Sequence, residues 1–119
     1  MKPITLALVD DHNLLRQGLV EMLNKNPAFQ VILEANNGRD FIGQLGTLPT
    51  PPDLVLLDIS MPLMNGFETA LWLKQNCPKI KVMALSMSDQ ESAVIRMIHN
   101  GAKGYVLKDA EKEELYEAI

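Results

Sequence analysis

The fold is decided by one stretch in the middle of the chain, residues 54–66, which read LVLLDISMPLMNG. Its first four residues are all aliphatic, so apolar and polar positions do not alternate as they do in a half-exposed strand. A strand that is apolar on both sides is typical of a parallel sheet buried between two layers of helices. The carboxylate of Asp58 follows this strand at once, and Pro62 with the Asn65-Gly66 pair then marks a loop.

Strand-like and helix-like segments alternate on either side of this stretch. Short aliphatic runs predict five strands, at residues 4–9, 31–35, 54–57, 82–85 and 105–107. Apolar residues at helical spacing predict five helices, at residues 13–24, 41–48, 67–75, 93–98 and 111–119. This alternation predicts an α/β domain with a parallel sheet covered on both faces.

Composition narrows the classes of function. The chain has 119 residues, which is enough for one domain with a buried core. Its net charge of −4 and its lack of a basic cluster argue against direct contact with nucleic acid or an anionic membrane. One cysteine cannot form an internal disulfide, so we expect a cytoplasmic protein. The last predicted helix reaches Ile119 without a stop signal, so we expect that helix to be cut short.

Polar side chains follow four of the five predicted strands. Asp10 and Asp11 follow the first strand and Asp58 follows the third, while Ser86 and Lys108 end the fourth and fifth. Nothing ionisable follows the second strand directly, which suggests that it lies at an edge of the sheet. Because ligands bind at the carboxyl edge of an open parallel sheet, we expect these five residues to share one site.

Three carboxylates at one edge repel each other, and a divalent cation removes that repulsion. Oxygen ligands with no histidine or cysteine among them favour a hard ion, Mg²⁺ first. A cation, a lysine and a hydroxyl around Asp58 would suit an aspartyl phosphate. We therefore predict that Asp58 is a nucleophile for phosphoryl transfer, that Asp10 and Asp11 hold Mg²⁺, and that Lys108 and Ser86 neutralise and bind the phosphoryl oxygens.

Each of these residues alone has a simpler interpretation. Asp10 and Asp11 could cap the first helix, since aspartate is a favoured N-cap residue. Lys108 alone is most often a solvated surface lysine, and the neighbouring His12 is best interpreted as a solvated histidine. The joint placement of the residues at the same ends of four strands is what supports a site.

Four segments of the sequence match a known family. They are residues 8–12 (LVDDH), residues 56–66 (LLDISMPLMNG), residues 84–86 (ALS) and residues 101–109 (GAKGYVLKD). In these segments the chain resembles the receiver domain of bacterial two-component response regulators. Together with residues 15–19 (LRQGL), they look most like the NarL/FixJ-type class, which carries a helix-turn-helix DNA-binding domain after the receiver.

The resemblance implies a flavodoxin-like, receiver-type three-layer sandwich over residues 1–119, with a five-stranded parallel sheet in the order 2-1-3-4-5 and five helices. It implies that a sensor histidine kinase phosphorylates Asp58, and that the backbone carbonyl of Ser60 is a further Mg²⁺ ligand. Ser86 and Tyr105 would form a switch, in which Tyr105 changes rotamer when the phosphoryl group binds. The partners implied are the kinase, the chain's own C-terminal helix-turn-helix domain, which we expect to be absent here, and a second copy on phosphorylation.

Two departures from the family pattern affect the site. Asp109 stands where many receivers have a proline after the lysine, so the geometry of that peptide bond stays open. Met87 is larger than the alanine that many receivers carry, and it would restrict access of water to a phosphoryl group.

Three alternatives compete with this prediction. A phosphatase of the dehalogenase type needs a second acid where Ser60 stands. A flavodoxin-like cofactor binder needs a phosphate loop where Asp10 and Asp11 would repel the phosphate. A degenerate receiver would act only as a phosphate-independent protein-interaction domain, but the complete set of five site residues argues against it.

Overall fold

A computed structural model describes residues 2–87 and 91–119 of the chain. The strands are β1 (Ile4–Val9), β2 (Phe29–Ala35), β3 (Leu54–Asp58), β4 (Lys81–Ser86) and β5 (Gly104–Leu107). The helices are α1 (Asn13–Asn24), α2 (Gly38–Leu45), α3 (Gly66–Asn76), α4 (Glu91–His99) and α5 (Lys112–Ala118). All ten predicted elements are present in the predicted order.

The five strands form one parallel sheet in the order β2-β1-β3-β4-β5. This confirms both the predicted strand order and the edge position of β2. β1 lies between β2 and β3, so the residues after β1 and β3 emerge side by side at the carboxyl edge. Parallel strands on one sheet require crossovers, and the intervening helices supply them.

Two apolar clusters hold the helices to the two faces of the sheet. On one face, Val55 and Leu57 of β3 belong to a cluster that includes Leu73 of α3 and Met97 of α4. On the other face, Leu54, Leu56 and neighbouring strand residues belong to a cluster that also contains the helix residues Leu19, Leu23 and Leu115. Successive residues of β3 therefore point to opposite layers, which explains why the strand is apolar at every position.

The second helix differs most from its predicted bounds. The apolar pattern predicts a helix over residues 41–48, whereas α2 begins at Gly38 and ends at Leu45. The earlier start has a local cause, because the Asn37 side chain caps α2 by accepting a hydrogen bond from the Asp40 backbone N–H at 2.9 Å. β2 begins at Phe29, two residues before the predicted strand.

The turn between β3 and α3 is built tightly around Gly66. A Cβ atom at Gly66 would lie 2.3 Å from the backbone oxygen of Asp58, so a larger residue does not fit there. Asn65 caps α3 in a reciprocal arrangement, in which its side chain accepts from the Glu68 N–H and the Glu68 carboxylate accepts from the Asn65 N–H. These contacts fix the start of α3 against the end of β3, where Asp58 lies.

No helix in the described ranges is long and apolar enough to cross a membrane.

Candidate phosphoacceptor site

The carboxyl edge of the sheet brings together buried polar side chains from four strands. Asp10, Asp58, Ser86 and Lys108 are each at most 6% exposed, and they include most of the buried polar residues in the described part of the chain. Burial of polar and charged groups is unfavourable unless they are paired, so such a concentration marks a site rather than a core. The strand ends that the sequence predicts to meet do meet here.

Lys108 lies at the centre of this group. Its Nζ atom is 3.1 Å from Asp58 Oδ1, and it donates a hydrogen bond to Asp10 Oδ1 at 3.3 Å. Its backbone N–H donates to the carbonyl of Ser86 at 2.8 Å, which fixes β5 against β4 at this point. The interpretation of Lys108 as a solvated surface lysine is therefore wrong, because its side chain is buried between two carboxylates. The Lys108-Asp109 peptide bond is trans.

Three buried polar atoms in the site have no hydrogen-bond partner within the described ranges: Asp10 Oδ2, Asp58 Oδ2 and Ser86 Oγ. Asp10 Oδ2 is 3.3 Å from Lys108 Nζ, but only the contact to Oδ1 has hydrogen-bond geometry. A buried polar atom without a partner costs about 1–3 kcal/mol. The site therefore holds two acceptor oxygens and one hydroxyl that are available to a ligand.

The environment of Asp58 disfavours its charged form. Burial is the largest cause, the neighbouring charge of Asp10 is the second, and Lys108 opposes both. Together they raise the pKa of Asp58 from its ordinary value of 3.8 to about 6. A cation close to Asp58 would act in the opposite direction and favour the carboxylate.

Asp11 and His12 complete the acidic cluster on its solvent side. One ligand atom from each of Asp10, Asp11, His12 and Asp58 can be chosen so that all four lie within 4.8 Å of one another. Asp11 and Ser60 line the same open cleft of about 380 Å³, which reaches the loop after β3. Oxygen ligands at this spacing suit a small divalent ion.

The first acidic pair does not cap α1. The N-cap residue is His12, and α1 has no side-chain capping bond. Asp10 Oδ1 instead accepts a hydrogen bond from the His12 backbone N–H at 3.0 Å, while the side chain of Asp11 is partly exposed. The capping interpretation of the two aspartates is therefore wrong.

His12 is more closely engaged than a solvated histidine. Its side chain is 56% exposed, but Nδ1 lies 3.0 Å from Asp10 Oδ1 and 3.0 Å from Lys108 Nζ. The sequence places His12 beside the acid pair without showing where its ring turns. The expectation of a merely solvated side chain is therefore wrong.

Arg16 holds the backbone next to the site in place, and the sequence did not predict this role. Its Nη1 atom donates to the backbone carbonyl of Asp10 at 2.6 Å and to that of Ala35 at 3.2 Å, and it also donates to Asn36 Oδ1 at 2.7 Å. Its Nε atom donates to Glu34 at 3.2 Å. The guanidinium thus ties the loop after β1 to the end of β2. An arginine in the first turn of α1, five residues after Asp11, is the only signal in the sequence.

Tyr105 and Met87 lie near the site but outside its buried part. Tyr105 is on β5, paired in register with Ala84, and it is 52% exposed. Met87 follows β4 directly, and its side chain is exposed in a groove that His12 and Lys108 also line. Tyr105 therefore points outward in this structure.

The order of the sheet and the acidic site at its carboxyl edge define a class of α/β domains in which a buried lysine faces carboxylates at the ends of two other strands. Residues 6–119 match the family described as the response regulator receiver domain, so the chain belongs to that family. A phosphorylation-dependent switch is the standard role of this signalling domain.

Individual relatives agree with this assignment. The chain is similar to the nitrate/nitrite response regulator protein NarL of Escherichia coli K12, with 39% identity over 99% of this chain and 54% of the relative. It is similar to the transcriptional regulatory protein DegU of Brevibacillus brevis, with 36% identity over 98% of this chain and 48% of the relative. The chain thus spans about half the length of these curated relatives.

Solved structures show the same fold. A signal receiver domain of a response regulator from Mycobacterium tuberculosis superposes with a TM-score of 0.90 at 29% identity, covering 99% of this chain and 94% of the other. A DNA-binding response regulator of the LuxR family from Staphylococcus aureus superposes with a TM-score of 0.85 at 29% identity, covering 96% of this chain and 93% of the other. The similarity to NarL, to DegU and to a LuxR-family structure confirms the predicted NarL-type class.

Proposed function

We propose that Asp58 is the phosphoacceptor of this receiver domain and that a sensor histidine kinase supplies the phosphoryl group. An oxygen of Asp58 would attack phosphorus, forming a P–O bond as the P–N bond of phosphohistidine breaks and the imidazole leaves. The observation that carries the proposal is the position of Asp58, which is buried beside Lys108 and keeps one carboxylate oxygen without a partner in the described chain. That oxygen is a nucleophile held in place but not engaged.

Asp10, Asp11 and Asp58 would hold Mg²⁺, together with the backbone carbonyl of Ser60. The acidic donor set fits a hard divalent ion, and the unpartnered Oδ2 atom of Asp10 provides a buried oxygen for it. Bound Mg²⁺ would supply positive charge against the repulsion among the carboxylates and the phosphoryl oxygens. The position of Ser60 at the cleft shared with Asp11 supports its inclusion.

Lys108 and Ser86 would bind the phosphoryl group once it is attached. Phosphoryl transfer needs positioning and charge neutralisation more than any covalent chemistry from the protein. Lys108 Nζ already lies within 3.3 Å of two carboxylates, so it can follow negative charge over a short distance. Ser86 Oγ is buried without a partner in the described ranges, so its hydroxyl is free to donate to a phosphoryl oxygen. These contacts would let the domain catalyse its own phosphorylation and dephosphorylation.

Ser86 and Tyr105 would convert phosphorylation into a change of surface. A phosphoryl group adds about −1.5 to −2 charges and three acceptor oxygens beside Ser86. Movement of Ser86 toward this group would leave space behind it, into which the exposed ring of Tyr105 could turn. Such a turn would reshape the surface formed by β5 and α4, which a partner can recognise. The outward position of Tyr105 in this structure is one of the two states that the proposal requires.

The full protein would use this switch to regulate transcription. The relatives are described as a nitrate/nitrite response regulator, a transcriptional regulatory protein and a DNA-binding response regulator, and the curated ones are about twice as long as this chain. We propose that a C-terminal helix-turn-helix domain binds DNA, that phosphorylation promotes a homodimer, and that the protein works in the cytoplasm. The net charge of −4 supports a receiver that does not itself contact DNA or a membrane.

Intact mass spectrometry after incubation with acetyl phosphate and Mg²⁺ tests the phosphoacceptor proposal. Wild type should gain one phosphoryl group, and Asp58→Asn or wild type with a chelator should gain none. Asp109→Asn is the matched control, because it removes an exposed carboxylate next to Lys108 and should still be phosphorylated. If neither acetyl phosphate nor a histidine kinase modifies the folded wild type, the domain is a phosphate-independent interaction domain. Modification of Asp58→Asn would show that the site is elsewhere.

A further inference from the structure

His12 occupies a position on the acidic cluster from which its ring nitrogen can reach a bound ion. Nδ1 lies 3.0 Å from Asp10 Oδ1 and 3.7 Å from Asp11 Oδ1. Ligands about 2.1 Å from a tetrahedral ion are about 3.4 Å apart. The two distances from Nδ1 lie on either side of that spacing. The imidazole therefore stands where a ligand next to Asp10 and Asp11 would stand.

The contacts of Nδ1 are ones that a bound cation can replace. Nδ1 lies 3.0 Å from both Lys108 Nζ and Asp10 Oδ1, and the tautomer of the ring decides whether it accepts from the lysine or donates to the carboxylate. When Nδ1 is unprotonated, its lone pair faces the ammonium group, and a positive ion held by the carboxylates could take the place of that group. The unpartnered buried Oδ2 atoms of Asp10 and Asp58 point independently to a ligand in the same cluster.

We infer that His12 supplies a nitrogen ligand to this site through Nδ1 and widens its metal preference from Mg²⁺ toward divalent transition ions such as Zn²⁺. Imidazole binds zinc well, whereas Mg²⁺ prefers oxygen ligands and keeps several waters. A site with oxygen ligands alone would bind Mg²⁺ and Zn²⁺ without the added preference for Zn²⁺ that a nitrogen ligand gives. This inference rests on the proposed function, since it concerns the same metal site, but it adds which ions compete for that site.

The His12 side chain can bind a metal ion without being required for folding. It is more than half exposed, and α1 has no side-chain capping bond that its replacement would remove. Lys108 also contacts Asp58 Oδ1 at 3.1 Å, so it has a partner that does not depend on His12. His12→Phe should therefore fold and keep a ring of similar size while losing the nitrogen.

Calorimetric titration of wild type and His12→Phe with Mg²⁺ and with Zn²⁺ at one fixed pH tests the inference. Even an outer partner of a metal ligand is worth about 10–100-fold in affinity, so loss of a direct ligand should weaken Zn²⁺ binding at least about tenfold. The affinity for Mg²⁺ should change much less, and the ratio of the two affinities is the deciding quantity. His99→Phe removes the other histidine, which lies at the end of α4, and should leave the ratio unchanged.

The nitrogen chemical shifts of the His12 ring give a readout that does not depend on affinity. Zn²⁺ should shift the Nδ1 resonance of His12 and leave that of His99 in place. An unchanged affinity ratio in His12→Phe, or an unshifted Nδ1 resonance at saturating Zn²⁺, would overturn the inference. Either result is compatible with Mg²⁺-dependent phosphorylation of Asp58, whereas failure of that phosphorylation would count against the proposed function and not against coordination by His12.

Discussion

Replacement of Asp58 by asparagine should stabilise the folded protein, and the gain should grow with pH. Asparagine has nearly the shape of the protonated carboxyl group and cannot ionise. In wild type, burial and the charge of Asp10 raise the pKa of Asp58 from 3.8 to about 6. The unfolded chain therefore releases this proton before the folded chain does. Between these two pH values the folded state binds more protons, so the free energy of unfolding of wild type falls as pH rises.

The size of the effect follows from the two pKa values. A pKa shift of about two units corresponds to a loss of about 3 kcal/mol in the free energy of unfolding, once Asp58 is ionised in both the folded and the unfolded state. From this proton linkage, the free energy of unfolding of Asp58→Asn should exceed that of wild type by about 1 kcal/mol at pH 4.5 and by about 3 kcal/mol at pH 7.5. Because both proteins share every other titrating group, the contributions of those groups cancel to first order in the difference.

Urea denaturation at pH 4.5 and pH 7.5, in buffer with chelator, measures this difference directly. Asp109→Asn is the control for loss of an exposed carboxylate, and it should change the unfolding free energy by less than about 0.5 kcal/mol at either pH. Added Mg²⁺ should stabilise wild type by mass action and narrow the gap at pH 7.5. A gap that stays constant with pH, or an Asp58→Asn variant less stable than wild type at pH 7.5, would refute the assignment of Asp58 as a buried carboxylate in an unfavourable environment.

Four further substitutions test the supporting residues. Arg16→Lys cannot reproduce the forked hydrogen bonds, so urea denaturation should show a loss of about 2 kcal/mol, and a loss below about 0.5 kcal/mol would contradict the bracing role. Ser86→Ala should leave stability unchanged or raise it by up to about 1 kcal/mol, because the hydroxyl has no partner in the described ranges. The same variant should take up the phosphoryl group more slowly in a mass-spectrometric time course. A clear loss of stability would contradict this interpretation of Ser86. Met87→Ala should lose its phosphoryl group faster than wild type, and a slower loss would show that Met87 does not shield the site. Tyr105→Ala should still be phosphorylated but should not dimerise in response, as measured by sedimentation, and dimerisation like that of wild type would exclude the switch.

The sequence predicted the residues whose positions depend on the sheet alone. An uninterrupted apolar strand predicts burial on both faces, and this property of residues 54–57 led to the parallel sheet. Once the strands are parallel, the residues after them share one edge, which is why Asp10 and Asp58 could be placed together. The resemblance supplied the strand order and the class, and the comparisons confirm both. The roles of all the site residues, Ser60 and Tyr105 among them, stay predictions.

Residues that act through the reach of a long or rotatable side chain were not predictable in the same way. Arg16 joins the ends of β1 and β2 only because its guanidinium extends from α1 to Asp10 and Ala35, and no periodicity in the sequence records that direction. His12 follows the same rule, since a histidine after two aspartates can turn toward solvent or toward the cluster.

The position of Lys108 depends both on the sheet, which the sequence predicts, and on the reach of its side chain, which the sequence does not predict. The sequence placed its backbone at the edge shared with Asp10 and Asp58, but Lys108 lies 98 positions after Asp10 in the chain. Only the packed structure shows that one ammonium group serves both carboxylates and touches His12 as well. Because one ammonium group contacts Asp58, Asp10 and His12, its position links Asp58 electrostatically to the loop after β1. The electrostatic balance of the site is therefore a property of the assembled edge and not of any one motif.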